Sequence, residues 1–375
     1  MSYLATKIRD VSNVVSGGTP DTSNPNYWDG EINWFTPSEI GNSKYVENSK
    51  RRITSLGHKN CGAKLMSPES ILLSSRATVG DASISKTECC TNQGFQSLTD
   101  FKCCGQYLYY YLQTYRIHKS LIRRASGSTF LEISNYEVGN TDIFIPDLNI
   151  QEKIAIFLSK IDDRIETQNK IIEKYESLKI GIKESIYLLS KEKEPLEKIL
   201  HEVSEKSTTQ NQYPVLSSTV KGLFLQNEYF DRSIASDNNI GYKIVHKGQI
   251  IISPQNLWMG NLTFNDKYEN GIVSPSYKIY DIDQKYSKKY IYWLLTSKRS
   301  FFNYGLVSEQ GASIVRRNLS IDAFMGLSIP VVKDRNCESK IEKLIDLIEK
   351  KLETEKKRES LLNQQKQFLL SNLFI

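Results

Sequence analysis

Two stretches of the chain repeat hydrophobic residues at alternating steps of four and three. The first runs from Ile154 to Leu189, and the second runs from Ile341 to Leu373. This spacing is typical of long helices that pair through a coiled-coil seam. The predicted seam residues are Ile154, Leu158, Ile161, Ile165, Ile172, Ile182, Ile186, Ile341, Ile345, Ile348, Leu352, Leu362, Leu369 and Leu373.

Polar residues interrupt both seams at matching places. Gln168 and Lys179 in the first stretch correspond to Glu355 and Lys366 in the second. Polar groups inside a seam can fix the register and the choice of partner helix, at a cost in stability. They can equally lie at the wet edge of a wider apolar stripe. The sequence leaves both interpretations open.

The remaining sequence predicts mixed globular parts. Short apolar runs at residues 70–75, 95–101, 247–253 and 277–281 predict strands. Aromatic-rich stretches at residues 107–121 and 290–303 predict amphipathic helices. Strands and helices of this kind indicate an α+β class.

The chain also repeats itself as a whole. The start of the chain matches a segment near residue 198, and the apolar runs, the aromatic stretches and the seams recur in the same order. A repeat of this length indicates duplicated units. We therefore expect four segments, which are a globular domain at 1–148, a long helix at 149–192, a second globular domain at 193–335 and a second long helix at 336–375.

Composition and motifs narrow the function. The net charge of +6 from 49 basic and 43 acidic residues permits nucleic-acid binding without indicating it. No phosphate-binding loop, zinc-hydrolase motif or nucleophile elbow occurs, so we expect no catalytic residues. The six cysteines lack the spacing of a metal site, and we expect none. Charged residues at the start and the absence of a long apolar run predict a cytoplasmic protein without membrane segments.

Several short motifs carry a resemblance to a known family. The first half contains Ser16-Gly-Gly-Thr-Pro20, Ile71-Leu-Leu-Ser-Ser-Arg76 and Thr91-Asn-Gln-Gly-Phe95, and a junction at Gln151-Glu152 leads into the first long helix. The second half contains Tyr213-Pro-Val-Leu-Ser217. In order and content the chain resembles the specificity subunits of type I restriction-modification systems. The junction near Cys337 is less similar to the family pattern.

The resemblance implies a fold and a role. Two target-recognition domains would be held apart by two long helices that form an antiparallel coiled coil with pseudo-two-fold symmetry. The subunit would be non-catalytic and would bind a bipartite target in double-stranded DNA. It would position two adenine methyltransferase subunits, which use S-adenosylmethionine, and motor-nuclease subunits, which use ATP and Mg²⁺. No cofactor would bind to this chain itself.

We expect the DNA-binding residues to divide into base readers and phosphate contacts. Arginine suits guanine, and asparagine or glutamine suits adenine, because each makes two hydrogen bonds to one base edge. The predicted readers are Arg76, Asn92, Gln93, Gln255 and Asn256. The predicted phosphate contacts are Lys50, Arg51, Arg52, Arg123, Arg124, Arg316 and Arg317. The alternative for Asn92 and Gln93 is that they stabilise turns.

Two other functions remain as alternatives. A self-contained or fused adenine methyltransferase would explain Asn24-Pro25-Asn26-Tyr27, which is similar to the motif that holds a flipped adenine. The segment departs from that motif at its third position and lacks a glycine-rich cofactor loop, so a turn is the competing interpretation. A structural coiled-coil protein without DNA binding is the other alternative.

Overall fold

The computed structural model describes residues 3–127, 131–190, 192–229, 238–310 and 317–374. The chain divides into two compact units. Unit 1 comprises Met1–Lys170 with Glu355–Ile375, and unit 2 comprises Ile171–Thr354. Each unit thus contains a globular part and a segment of both long helices. The four-segment division expected from the sequence separates helices from globular parts and remains a prediction.

The elements that begin in unit 1 are short except for the last helix. The strands are β1 (Leu4–Lys7), β2 (Asn13–Ser16), β3 (Trp28–Phe35), β4 (Tyr45–Val46), β5 (Arg51–Ile53), β6 (Ile71–Leu73), β7 (Ala82–Ser85), β8 (Cys89–Thr91), β9 (Gln96–Thr99) and β10 (Asp142–Ile145). The helices are α1 (Ile8–Val11), α2 (Ser55–Lys59), α3 (Gly105–Leu112), α4 (Tyr115–Arg124), α5 (Asn135–Gly139) and α6 (Leu148–Leu189).

Strand β6 lies at the centre of the main sheet of unit 1. The strand order is β2-β9-β6-β7-β4, and a smaller sheet has the order β5-β3-β8. Ile71 and Leu73 enter one hydrophobic core, while Leu72 between them enters another. A strand buried on both faces needs a continuous apolar run rather than an alternating one. This confirms the strands predicted at residues 70–75 and 95–101.

The remaining elements begin in unit 2. Its strands are β11 (Lys193–Pro195), β12 (Leu200–Val203), β13 (Leu216–Thr219), β14 (Gly222–Leu225), β15 (Lys243–His246), β16 (Ile250–Ile252), β17 (Leu262–Phe264), β18 (Asn270–Val273), β19 (Lys278–Ile282), β20 (Ser308–Gln310), β21 (Arg317–Leu319) and β22 (Ser328–Pro330). The helices are α7 (Gln226–Tyr229), α8 (Lys288–Leu295), α9 (Lys298–Leu306), α10 (Ile321–Met325) and α11 (Arg335–Leu373).

Strand β16 has the same place in unit 2 that β6 has in unit 1. It pairs antiparallel with β17 and β19 in a sheet of order β12-β19-β16-β17. Ile250 and Ile252 enter one core and Ile251 enters another. The strands predicted at residues 247–253 and 277–281 are therefore confirmed, and the internal repeat extends to the way each central strand is buried.

The aromatic stretches form two helices each, where the sequence predicted one. In unit 1, α3 ends at Leu112 and α4 begins at Tyr115, and in unit 2 the break falls at Thr296 and Ser297. The Ser297 hydroxyl accepts a hydrogen bond from the Ser300 backbone amide, which caps a new helix. The break lets both short helices of each stretch bury apolar side chains in the core of their unit, as Ile117 and Leu121 of α4 do.

The long helices supply the predicted seam. In unit 1, Asp162 and Gln168 of α6 contact Lys366 and Glu355 of α11, so the two helices run antiparallel there. In unit 2, Lys179 of α6 contacts Glu349 of α11. The fully buried seam residues are Leu158, Ile161, Ile345, Ile348 and Leu352. The half-buried ones are Ile154, Ile165, Ile172, Ile182, Ile186, Ile341, Leu362, Leu369 and Leu373.

The elements of both units confirm the α+β class with two globular parts and two long helices. The pseudo-two-fold symmetry remains a prediction.

Candidate nucleic-acid interface

A rigid loop follows the central strand of unit 1. We call residues 74–81 the reading loop of unit 1. The Ser74 amide donates to the Asp81 carbonyl at 2.8 Å, and the Gly80 amide donates to the Ser74 carbonyl at 3.0 Å. Ala77 has a φ of 60°, which is rare for a residue other than glycine. Gly80 has a φ of 98°, and a Cβ there would lie 2.8 Å from the His118 ring. These constraints give the loop one conformation.

The loop presents Arg76 to solvent beside an acidic partner. The Arg76 Nε lies 2.8 Å from the Glu132 Oε1, with side-chain exposures of 46% and 40%. The Ile133 amide donates to the Ser75 carbonyl at 3.0 Å, so the segment around Glu132 lies alongside the loop. The hydrogen bond to Glu132 raises the pKa of Arg76, which keeps the guanidinium charged. No pattern in the sequence pointed to Glu132 as the partner of Arg76.

Asn92 and Gln93 lie on the turn next to the reading loop. The Gly94 carbonyl accepts a hydrogen bond from the Ser75 amide at 2.8 Å, which joins the turn to the loop. The Asn92 Oδ1 accepts from the Gly94 amide at 2.9 Å, and the Gln93 Oε1 accepts from the Thr19 hydroxyl. Both side-chain oxygens therefore stabilise local structure, as the alternative interpretation expected. The structure brings Arg76, Asn92 and Gln93 together on one surface of unit 1.

The predicted phosphate contacts of unit 1 lie on other elements. Lys50 is exposed, and the guanidinium of Arg51 lies 3.5 Å from the centroid of the Trp28 ring. Arg52 donates to the Asn48 Oδ1 at 3.0 Å. At the end of α4, Arg124 pairs with Glu137 at 3.0 Å and with Asp142 at 3.5 Å. Its neighbour Arg123 is exposed.

The two arginines at the end of α4 give a test of phosphate binding. Arg123→Ala should lower affinity for all duplexes and reduce the slope of log affinity against log salt by about 0.9, because one phosphate contact is lost. Arg124→Ala should change the slope less, because its guanidinium is committed to Glu137 and Asp142. Binding isotherms at several salt concentrations measure both slopes. Equal slopes for Arg123→Ala and the unaltered chain would remove Arg123 from the interface.

Unit 2 has a loop at the corresponding place. We call residues 253–261 the reading loop of unit 2; it contains Gln255 and Asn256. The Arg317 amide donates to the Gln255 carbonyl at 3.2 Å, and the Arg317 guanidinium lies 4.2 Å from the centroid of the Trp258 ring. Gly260 closes the loop with a φ of 99°. Arg316 lies outside the described residues.

The four tryptophans of the chain differ in burial. Trp28, Trp34 and Trp293 are 3–7% exposed and belong to the hydrophobic cores. Trp258 is half-buried and carries Arg317 on its ring face. A stacked guanidinium gains cation–π attraction and loses freedom to rotate. Sequence reasoning did not single out Trp258 as the partner of Arg317.

Other groups that could carry chemistry have structural roles. Residues 25–27 form one turn of 3-10 helix, and the Asn24 Oδ1 accepts from the Asn26 amide at 3.1 Å, so the turn interpretation of this segment is confirmed. Burial raises the pKa of Cys89 to about 11 and that of Cys90 to about 12, which disfavours the thiolate. Across the described residues, no group of three or more His, Cys, Asp or Glu side chains could hold a metal ion.

The first part of the chain is similar to known proteins. The family described as "Type I restriction modification DNA specificity domain" matches residues 5–177. The type I restriction enzyme MjaIX specificity subunit of Methanocaldococcus jannaschii is 37% identical over 174 residues, which are 45% of this chain and 40% of that protein. Residues 5–177 are therefore similar to the DNA specificity domain of type I restriction-modification systems.

Solved structures extend the likeness to the whole fold. The S subunit of a type I restriction-modification system from M. genitalium superposes with a TM-score of 0.56 at 15% sequence identity. The match covers 100% of this chain and 96% of that S subunit. A chain from a structure that describes complex assembly of the type I restriction-modification system superposes with a TM-score of 0.62 at 11% sequence identity. The match covers 100% of this chain and 97% of that chain. At sequence identities this low, the two superpositions show a shared fold and no more. The sequence match takes in less than half of the length of the curated relative.

One further finding concerns membranes. In the ranges that the structure describes, no helix has the length and apolar character needed to cross a bilayer.

Proposed function

We propose that this chain reads a bipartite target in double-stranded DNA and has no catalytic activity of its own. The observation that carries the proposal is the same loop arrangement in both units. In each unit, a loop follows the doubly buried central strand and is joined to a second backbone segment, through Ser75 and Ile133 in unit 1 and through Gln255 and Arg317 in unit 2. A rigid loop can hold side chains against base edges with little loss of freedom on binding.

The side chains on the two loops suit DNA in different ways. Unit 1 offers Arg76, whose guanidinium can make two hydrogen bonds to guanine, and unit 2 offers Gln255 and Asn256, whose amides can do so to adenine. The surrounding basic residues would position the backbone without selecting a sequence. Two different loops would therefore read two different half-sites.

Catalysis is assigned to partner subunits. Two adenine methyltransferase subunits with S-adenosylmethionine would dock on the repeated parts of the chain, and motor-nuclease subunits with ATP and Mg²⁺ would add restriction. The support is the match of residues 5–177 to the type I restriction modification DNA specificity domain, together with the internal repeat, which would give two similar docking surfaces. Light scattering of the purified complex should give two methyltransferases for each copy of this chain. A stable complex with one methyltransferase would contradict the repeat argument.

Exchanging one globular part tests the two-reader proposal. Replacing residues 1–148 with the equivalent part of a relative should change one half of the methylated motif and leave the other half unaltered, because each loop belongs to one compact unit. Mapping methylated adenines in a host that carries the exchanged chain measures the result. A change in both halves would mean that the units do not read DNA independently.

Two experiments address the alternative functions. A self-contained methyltransferase would bind S-adenosylmethionine in the absence of partners, and isothermal titration of the purified chain would detect it. A structural coiled-coil protein would show no binding to random duplex even at low salt, where phosphate contacts are strongest. The proposed function requires the opposite result in both experiments.

A further inference from the structure

The Arg76 side chain is fixed through one of its two hydrogen-bonding edges. Glu132 accepts from Nε at 2.8 Å, and an isolated backbone bridge pairs the same two residues. A guanidinium has five N–H donors in a rigid plane. With Nε directed to Glu132, the terminal Nη1–Nη2 edge remains to meet a pair of acceptors outside the protein.

We propose that Glu132 is a positioning residue that fixes Arg76 to read a guanine in the half-site bound by unit 1. Among the four bases, only guanine presents two neighbouring acceptors, O6 and N7, in the major groove. The terminal edge of a held guanidinium matches that pair in plane and spacing. The inference rests on the proposed function, because it needs unit 1 to bind DNA.

The alternative is that Glu132 has a purely structural role in closing the reading loop, but other contacts already hold this loop. The loop already has backbone hydrogen bonds from Ser74 and Gly80, and His118 packs against Gly80. An exposed ion pair adds little stability. A carboxylate on a surface that meets phosphates also weakens DNA binding by charge repulsion. Its presence is accounted for if it orients Arg76.

Unit 2 uses a different arrangement at the corresponding place. There Gln255 occupies the loop, and the neighbouring segment supplies Arg317, whose guanidinium lies on the Trp258 ring. The arginine thus comes from the other backbone segment and contacts an aromatic ring. Between these two loops, as far as the described residues show, the carboxylate-positioned arginine lies in unit 1, so its removal should affect a single half-site.

The test uses the full chain, alone and with its methyltransferase, and a pool of double-stranded DNA with a randomised sequence. Sequencing of the bound fraction gives the preferred motif. Arg76→Ala should reduce the preference for one guanine by roughly 5- to 150-fold. Glu132→Ala should reduce the preference for the same guanine by a smaller factor. Its affinity for non-specific duplex should stay equal or rise, because a negative charge is removed.

Three further variants separate positioning from a structural role. Glu132→Gln keeps an oxygen acceptor for Nε and should retain part of the preference. The double variant Arg76→Ala with Glu132→Ala should match Arg76→Ala alone. Glu137→Ala is the matched control, since Glu137 pairs with Arg124 at a similar distance and exposure. It should leave the preference for every base unchanged. Circular dichroism checks that each variant is folded.

The outcomes distinguish failure of this inference from failure of the proposed function. If the unaltered chain enriches no motif, the proposed function fails and the inference fails with it. If a motif is enriched but Arg76→Ala leaves it unaltered, only the inference is overturned. A Glu132→Ala variant that keeps its guanine preference, or loses preference at all positions equally, also overturns it. Loss at the one guanine, with partial recovery in Glu132→Gln, supports it.

Discussion

Gln168→Leu is expected to lower the free energy of unfolding of unit 1 by about 1–3 kcal/mol, although it adds an apolar side chain to an apolar seam. Gln168 Nε2 donates to the Glu355 Oε2 at 2.7 Å and to the Glu355 carbonyl at 3.1 Å. Glu355 is 2% exposed, so water cannot replace the lost donor. A buried carboxylate that loses a hydrogen bond keeps most of its desolvation cost.

Replacing both partners should reverse the effect. The double variant Gln168→Leu with Glu355→Leu removes the donor and the buried charge together, and such replacements are often neutral or stabilising. Urea denaturation of the full chain, followed by the helical circular dichroism signal, measures all three proteins. Gln364→Leu is the control, because Gln364 is exposed on α11 and its replacement should change stability by less than about 0.5 kcal/mol. If Gln168→Leu were as stable as the unaltered chain, the pair would have no energetic role.

The same pair decides between the two interpretations of the polar interruptions. Gln168 is 8% and Glu355 is 2% exposed, so neither lies at a wet edge. Lys179 and Lys366 are more exposed and form ion pairs with Glu349 and Asp162 at 2.8 Å. In each case the polar side chain of one long helix contacts a partner on the other. Sliding either helix by one turn would separate these partners, so they favour one register.

Lys183→Met should stabilise unit 2 at pH 7, and the advantage should shrink as the pH rises. Burial lowers the pKa of Lys183 to about 7, whereas in an unfolded chain a lysine has its ordinary value near 10.4. Between these values the unfolded chain binds a proton that the folded chain does not. Stability from this group therefore rises with pH, by about 2 kcal/mol from pH 7 to pH 9. The methionine variant lacks this dependence.

The environment of Lys183 shows why the charge is costly. The residue is 9% exposed, and its Nζ donates to the Thr296 hydroxyl at 2.9 Å and to the Thr296 carbonyl at 3.2 Å. The Trp293 ring lies 5.0 Å away. These neutral partners satisfy hydrogen bonds and offset only part of the lost hydration.

The measurement compares unfolding midpoints at pH 7 and pH 9. Hydrogen exchange of peptides from unit 2 locates the change within the chain. Leu178→Met is the control, because Leu178 is exposed on the same helix and carries no titratable group, so the variant should keep the pH slope of the unaltered chain. A constant difference between Lys183→Met and the unaltered chain at both pH values would show that Lys183 does not change protonation on unfolding.

Features that depend on local periodicity could be predicted from the order of residues along the chain. The seam from Ile154 onward, its copy from Ile341, and the apolar runs that became β6 and β16 follow from side-chain spacing along one element. The repeat could be read because duplicated units keep the same order of elements. The family resemblance rested on motifs of a few adjacent residues, such as those that end at Arg76.

The contacts between distant side chains became visible in the folded chain. The pairing of Arg76 with Glu132, of Gln168 with Glu355 and of Arg317 with Trp258 joins separate elements, and no periodicity marks it in advance. The burial of Lys183 depends on its contact with a helix more than a hundred positions away. The division of each aromatic stretch into two helices follows from the need to pack both against one core. These features depend on how the chain folds back on itself, and local spacing carries no information about that.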